Sequence, residues 1–336
     1  MLKRRTFNQF LGLGGVLGTA VFNSSGWRAA SAATVADNWP SKAIRLIVPF
    51  AAGGGNDTVA RAVSEKLSLV LGQRVIVDNK GGAGGALGAE LAAKAEPDGY
   101  TLFLGGVGSL AINPATREKS SYDPIKDFAP ISLLAMAPLV VAVHPSLGVS
   151  TLQDLVSKAK DKSLNLAYAS NGVGSSSHLA TELFCSMANL QMTHVPYKGL
   201  APALADLLSG QVKLMFSSSV AILPHVATGR LKVLGSTGLK RSSAFPDLPT
   251  IAESGFPGYR ANSWYGILAP AGTPHRIVDK INQGIDSFLM KEDFKTALSA
   301  EGAESAGGKP EYFANFIREE LERMKILVKK INLRMD

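Results

Sequence analysis

From residue 44 onward, short apolar runs alternate with stretches whose apolar residues recur every three or four positions. The runs Ile44–Val48, Val75–Val77, Thr101–Leu104, Leu139–Val143, Asn165–Ala169, Thr193–Val195, Lys213–Phe216 and Lys232–Gly235 have the length and bounding turn residues of buried strands. The intervening patterns at about Thr58–Leu71, Ala86–Ala95, Leu152–Lys160, Ser177–Ala188 and Ala201–Leu208 predict helices. Leu71-Gly72 and Ser209-Gly210 place a glycine where a helix C-terminus wants one. This alternation predicts an α/β fold with mostly parallel sheets.

The last third has a different rhythm. One strand, Trp264–Ala269, precedes two long helices at about His275–Met290 and Pro310–Lys330, and Pro274 and Pro310 suit their first turns. A single strand with helices has no sheet of its own to cover. The simplest arrangement returns this segment to the first domain. The prediction is a discontinuous domain 1 of residues 34–138 plus 262–336, with domain 2 of residues 139–261 inserted into it. Two crossings between the domains then form a hinge. A length of 336 residues suits two cores better than one.

The N-terminus lies outside this rhythm. Lys3-Arg4-Arg5 precedes a short apolar stretch, Phe10–Phe22, and small residues at 30–33 offer a cleavage site. Residues 1–33 read as a signal peptide, and Arg4-Arg5-Thr6-Phe7 resembles the twin-arginine export signal. Removing Lys3, Arg4, Arg5 and Arg28 takes the formal net charge from +8 to +4. That balance suits an anionic ligand, and no basic stripe interleaved with aromatics suggests nucleic acid. Cys185 is the sole cysteine, so an internal disulfide and a Cys-based zinc site are both excluded; its helical setting suits a small buried apolar role.

Chemistry concentrates in four turns that follow predicted strands. The first is Pro49-Phe50-Ala51-Ala52-Gly53-Gly54-Gly55-Asn56-Asp57. The second is Asn79–Gly85, the third Gly105–Ser109, and the fourth Ser170–His178, which contains Ser175, Ser176 and Ser177. A strand that ends in a glycine-rich turn and opens a helix aims free backbone N–H groups at one point. Such turns collect at the carboxyl ends of strands, where open α/β sheets bind ligands. The first and fourth turns, in different domains, are expected to face each other.

Nucleotide sites do not fit. The Walker Gly-Lys-Ser/Thr is absent, and Gly82-Ala83-Gly84-Gly85-Ala86-Leu87-Gly88 misses the third glycine of the dinucleotide fingerprint by one position. There is no G-x-S-x-G elbow. The five histidines, His144, His178, His194, His225 and His275, have no ligand spacing, so no metal and no cofactor are expected. Asp57 reads equally as a helix cap or as a ligand contact. In the turn Pro196-Tyr197-Lys198-Gly199, Tyr197 is a candidate wall of the cleft and Lys198 a candidate carboxylate contact.

These segments together resemble the substrate-binding proteins of tripartite tricarboxylate transporters, the Bug family of bacterial receptors. The similarity is carried by Trp39-Pro40-Ser41-Lys42, Ile44–Phe50, Gly53–Arg61, Pro97–Leu102, Val195–Gly199 and Leu268–Pro274, and it spans nearly the whole chain after the signal. The resemblance implies a two-domain periplasmic binding protein of type II-like architecture, with a cleft between domains and hinge crossings. It implies a non-enzymatic receptor in the periplasm of a Gram-negative bacterium, a monomer that takes up a small carboxylate and delivers it to a membrane permease with a small membrane subunit. The resemblance implies ligand contacts in the turns Phe50–Asp57, Ser175–His178 and Pro196–Gly199; with Ser109 from the third turn and Ser217 beside the expected cleft, the candidate contacts are Phe50, Ala52, Gly53, Gly54, Asn56, Asp57, Ser109, Ser175, Ser176, Ser177, His178, Pro196, Tyr197, Lys198 and Ser217. Two departures stand out. Asn79-Lys80-Gly81-Gly82 replaces the family's usual Asn-Arg-Pro-Gly, and Ser217 follows Phe216 where an Asp or Asn is common. The competing expectation is an exported hydrolase that uses a Ser and a His across the same cleft.

Overall fold

The computed structural model describes residues 38–333 except 51, 53, 54, 118, 198, 242–245, 300, 301 and 332. The export signal read over residues 1–33 lies outside the described residues, as do the candidate contacts Gly53, Gly54 and Lys198. The strands are β1 Ile44–Val48, β2 Val75–Asn79, β3 Thr101–Gly106, β4 Phe128–Val143, β5 Ala167–Ser170, β6 Thr193–Pro196, β7 Leu214–Ser218, β8 Lys232–Ser236, β9 Asn262–Pro270 and β10 Glu304–Ser305. The helices are α1 Gly55–Leu71, α2 Ala86–Ala93, α3 Asn113–Thr116, α4 Leu152–Ala159, α5 Ser176–Ala188, α6 Leu200–Ser209, α7 Ser219–Ala227, α8 His275–Leu289, α9 Glu292–Ser299 and α10 Pro310–Lys330.

The strands join in the order β2-β1-β3-β9-β4-β7-β5-β6, with β8 and β10 also paired to β4. The outer parts are parallel, as the alternation predicts: β1 with β2 and β3, and β5 with β6 and β7. The middle differs from the expectation. Here β9 runs antiparallel to both β3 and β4, and β4 runs antiparallel to β7 and β8. The cause is β4 itself, which spans 16 residues rather than the five read from the sequence. Its first part, to Pro138, pairs with β9; from Leu139 it pairs with β7. Proline has no N–H to give a ladder, and Pro138 sits where the strand changes partner.

Each part of the sheet buries its own core. Around β1, β3 and β9, Ile47, Phe103, Phe128, Trp264, Leu268 and Phe313 pack together. Beyond Pro138, the period of two in a strand splits β4 between two cores. Leu139, Val141 and Val143 join Tyr168, Phe184 and Phe216, while Val140 and Ala142 join Ala203, Leu207 and Met215. Cys185 is buried in the first of these two cores, and burial pushes its thiol up to about 12. In α1, Val59, Ala60, Val63, Leu67 and Leu71 are buried at helical spacing, and Gly72 ends the helix with a left-handed φ of 68°. The backbone at Leu139 and at Ala261 is tied to Thr237. Leu139 N–H donates to Thr237 Oγ1 at 2.7 Å, Thr237 N–H donates to the Leu139 carbonyl at 2.9 Å, and Ala261 N–H donates to the Thr237 carbonyl at 3.3 Å. Among the described residues, no helix is long and apolar enough to cross a membrane.

Candidate functional site

A cavity of about 330 Å³ opens at the carboxyl ends of β1, β3 and β5. Four turns line it: Phe50 and Asn56 from the first, Gly84 from the second, Gly106, Val107 and Gly108 from the third, and Val173, Gly174, Ser175 and Ser176 from the fourth. Ile112, Asn113 and the start of β9, Ser263–Tyr265, complete the lining. None of these residues carries a charge.

Gly85 of the second turn and Gly108 of the third make room for the Phe50 ring. A Cβ on Gly85 would stand 3.2 Å from Phe50 Cζ, and one on Gly108 would stand 3.4 Å away. Gly85 also has a φ of 97°, which disfavours any other residue. A Cβ on Gly88 would come within 2.7 Å of Pro49 Cα. The near-match to a dinucleotide fingerprint is therefore a packing surface for Pro49 and Phe50.

In the first turn, only Phe50 and Asn56 of the described candidates line the cavity. Asp57 is buried and points elsewhere: its carboxylate accepts from Arg61 Nε at 2.9 Å and from Asn79 Nδ2 at 3.1 Å. Asn79 Nδ2 also donates to the Phe50 carbonyl at 3.1 Å, so Asp57 and Asn79 together tie the turn to β2. Ala52 is exposed and outside the lining. Ser109 is fully buried behind it; its Oγ accepts from Gly106 N–H at 3.2 Å, and its carbonyl accepts from the Tyr122 hydroxyl.

The fourth turn divides its hydroxyls. Ser175 caps α5: its Oγ accepts from His178 N–H at 3.3 Å and donates to the Gly172 carbonyl at 2.7 Å. Ser177 Oγ accepts from Asn171 N–H at 3.0 Å. Ser176 has neither duty and faces the cavity from the first position of the helix. The backbone N–H groups that begin a helix lack intrahelical acceptors, so α5 and α1 both direct donors and positive dipole ends at this space.

His178 supports the turn from behind. Its Nδ1 accepts from Gly174 N–H at 3.1 Å, and its ring stacks on His194 with centroids 3.9 Å apart. Burial, and secondarily the neighbouring His194, lowers His178 to about 4. Tyr168 stacks with His194 at 4.9 Å and with His178 at 6.4 Å. Ser170 Oγ and His194 Nε2 lie 2.6 Å apart, but Ser170 is fully buried and neither residue is among the described lining of the cavity.

The remaining candidates lie away from the cavity. Tyr197 turns toward α6, its hydroxyl donating to Asp206 Oδ2 at 2.6 Å, and Pro196 sits exposed at the end of β6. Ser217 is buried on β7 opposite Val140. The sequence reading missed Asn113, Ser263, Trp264 and Tyr265. Asn113-Pro114 is an Asn-Pro turn signal, but β9 reads only as a core strand. Among the described residues, no group of three or more His, Cys, Asp or Glu side chains can hold a metal.

The family model for the tripartite tricarboxylate transporter family receptor matches residues 59–333. BugT of Bordetella pertussis is 35% identical over 301 residues, covering 89% of this chain and 92% of that protein. A Rhodopseudomonas palustris protein solved with adipate is 37% identical, with a TM-score of 0.76 over 88% of this chain and 99% of that one. MatC from Rhodopseudomonas palustris, solved with bound malate, is 34% identical, with a TM-score of 0.71 over 86% and 100%. The chain belongs to the tripartite tricarboxylate transporter receptor family, the Bug receptors, whose members are solute-binding receptors and not enzymes.

Proposed function

We propose that this protein is a periplasmic receptor that holds a small carboxylate in the cavity between Phe50 and Ser176 and delivers it to a membrane permease with a small membrane subunit. The observation that carries this reading is the convergence of two helix N-termini, with the Asn56 and Ser176 side chains, on one uncharged, partly apolar space. A carboxylate there receives N–H and O–H donors and needs no cationic partner. The cavity volume sits at the small end of the usual ligand range, about 300–1,000 Å³. The relatives solved with adipate and malate support a carboxylate of that size.

In this reading residues 34–138 with 262–336 form one lobe and residues 139–261 the other. Pro138–Leu139 and Ala261–Asn262 are the hinge, and Thr237 holds the two crossings together. Hydrogen bonds to a charged group are worth roughly 1.5–3 kcal/mol each, so three or four reach micromolar affinity, about −8 kcal/mol, after association costs. Closure around the ligand is the signal a membrane partner reads. The signal peptide read from the sequence of residues 1–33 supports the periplasm as the compartment.

Two measurements test this. In a thermal-shift screen, small mono- and dicarboxylates are expected to raise the melting temperature in a saturable way, and the bound acid should be recovered unchanged; a chemically altered ligand would sink the receptor reading. Ser176→Ala should weaken binding of the best acid by about tenfold or more while leaving the unliganded melting temperature unchanged. Equal affinity would remove Ser176 from the site.

A further inference from the structure

Arg260 stands just before the crossing at Ala261–Asn262, and its Nη2 lies 3.0 Å from Glu320 Oε1 on α10. Glu320 is buried, and Arg323, one turn further along α10, donates to both of its oxygens at 2.8 and 2.7 Å. The residue before Arg260 reaches the helix that presents Ser176 to the cavity. Tyr259 is fully buried, and its hydroxyl donates to the Ala180 carbonyl of α5 at 2.9 Å. Leu179 of α5 packs with Met324 and Leu327 of α10 and with Ile112 of the cavity lining. Arg260 also stands 6.0 Å over the Phe316 ring, which packs edge-on at 5.3 Å against Trp264 of the cavity wall. One dipeptide, Tyr259-Arg260, thus joins α5 to α10 behind the cavity.

The double pairing of Glu320 decides what the Arg260 bond can do. Breaking an ion pair is costly when it strands a buried charge. Arg323 sits on the same helix as Glu320 and stays with it when Arg260 leaves, so the carboxylate is never stranded. Arg260 keeps 23% of its side chain exposed and can return to water. The bond can therefore part and re-form as the lobes move. A contact made equally in the open and closed states cancels from the binding equilibrium, whereas one made only on closure adds to affinity. We infer that Arg260 is a positioning residue for ligand binding: its bond to Glu320 forms as the lobes close, and through Tyr259 it seats the Ser176 end of α5 over the cavity. This rests on the two-lobe carboxylate receptor reading.

The test is calorimetric titration of adipate, L-malate and succinate into the wild type and Arg260→Met, which removes the charge and keeps an apolar stem. Arg260→Met is expected to weaken the acid that the wild type binds best by about tenfold. Stopped-flow should place that loss in faster dissociation with association unchanged, and the unliganded melting temperature should stay at the wild-type value. Arg260→Lys should recover part of the affinity by restoring the charge without the guanidinium fork. Glu320→Gln should weaken binding by a similar factor and cause no further loss when added to Arg260→Met; if it does not fold, the two Arg260 variants are read alone. Wild-type affinity in Arg260→Met overturns the inference, whatever its melting temperature: the bond is then a fixed part of the fold, and the carboxylate receptor stands. Failure of the wild type to bind any of the acids overturns the receptor reading, and this inference with it.

Discussion

Gly266→Ala is expected to lower the melting temperature by about 2–5 °C. Gly266 lies in the middle of β9, opposite Gly105 on β3 and Leu133 on β4. A Cβ at this position would overlap the Phe313 ring, which α10 drops onto the sheet. Phe313 is fully buried and has nowhere to withdraw, since Trp264 packs edge-on against it at 5.9 Å and Phe316 lies at 6.5 Å. Gly105, on the neighbouring strand, is bare for a similar reason: a Cβ there would overlap Leu110. Overpacking a rigid core costs about 1–3 kcal/mol, sometimes more, and this contact is with a ring that cannot rotate away. Scanning calorimetry reads the shift, and Phe313→Leu in the same chain should recover part of it by vacating the contact. An unchanged melting temperature in Gly266→Ala would mean that α10 does not seat on β9 in this way. Because Trp264 lines the cavity, the substitution should weaken ligand binding too.

The alternation of apolar runs and helical stripes makes most of the α/β elements legible, because many of them are bounded by Gly, Asn or Pro, as at Val48-Pro49, Leu71-Gly72, Ala188-Asn189 and Ser209-Gly210. It failed where burial erased the period. The first part of β4 is buried on nearly every residue, contains Pro130, and shifts register between Pro130 and Ser132 and again between Leu133 and Ala135. No alternation survives to be read there. Helix α7 was missed because Pro224 lies inside it. The site was legible at the level of turns and not of side chains. Glycines and serines after strands marked the four loops that meet at the cavity. Which hydroxyl is free depends on local bonding: Ser175 and Ser177 serve their own turn, and Asp57 ties to Arg61 and Asn79. Tyr197 reads from its sequence neighbours as a cleft wall, but its hydroxyl donates to Asp206. Asn113 and Tyr265 reach the cavity only through tertiary packing, which no local pattern encodes.

Acidification from pH 6.5 to about 4.5 should remove about 2–3 kcal/mol of stability through His178 alone. In the fold its Nδ1 must stay unprotonated to accept from Gly174 N–H, and burial first, then His194, lowers the imidazole from 6.5 to about 4. The unfolded chain takes up a proton near 6.5. Between those values the unfolded state holds more protons, so stability is full above about pH 6.5 and is lost as pH falls toward the folded value. Burial lowers His194 as well, which acts in the same direction. Of the described groups facing the pair, Tyr168 on β5 stacks on His194 and donates its hydroxyl to Glu182, and Ser170 Oγ meets His194 Nε2. The carboxylates held below their ordinary range, such as Asp78 and Asp154, lose their contributions only at more acid pH, under about 4. Urea unfolding across pH 4.5–7.5 measures the slope. His178→Asn keeps an acceptor near Gly174 but cannot be protonated there, and should flatten the profile over this window. Ligand affinity should fall in step with stability, because Gly174 and Ser175 line the cavity and the protonated ring releases Gly174 N–H. A wild-type profile as flat as that of His178→Asn would show that the stacked pair carries no proton-linked strain.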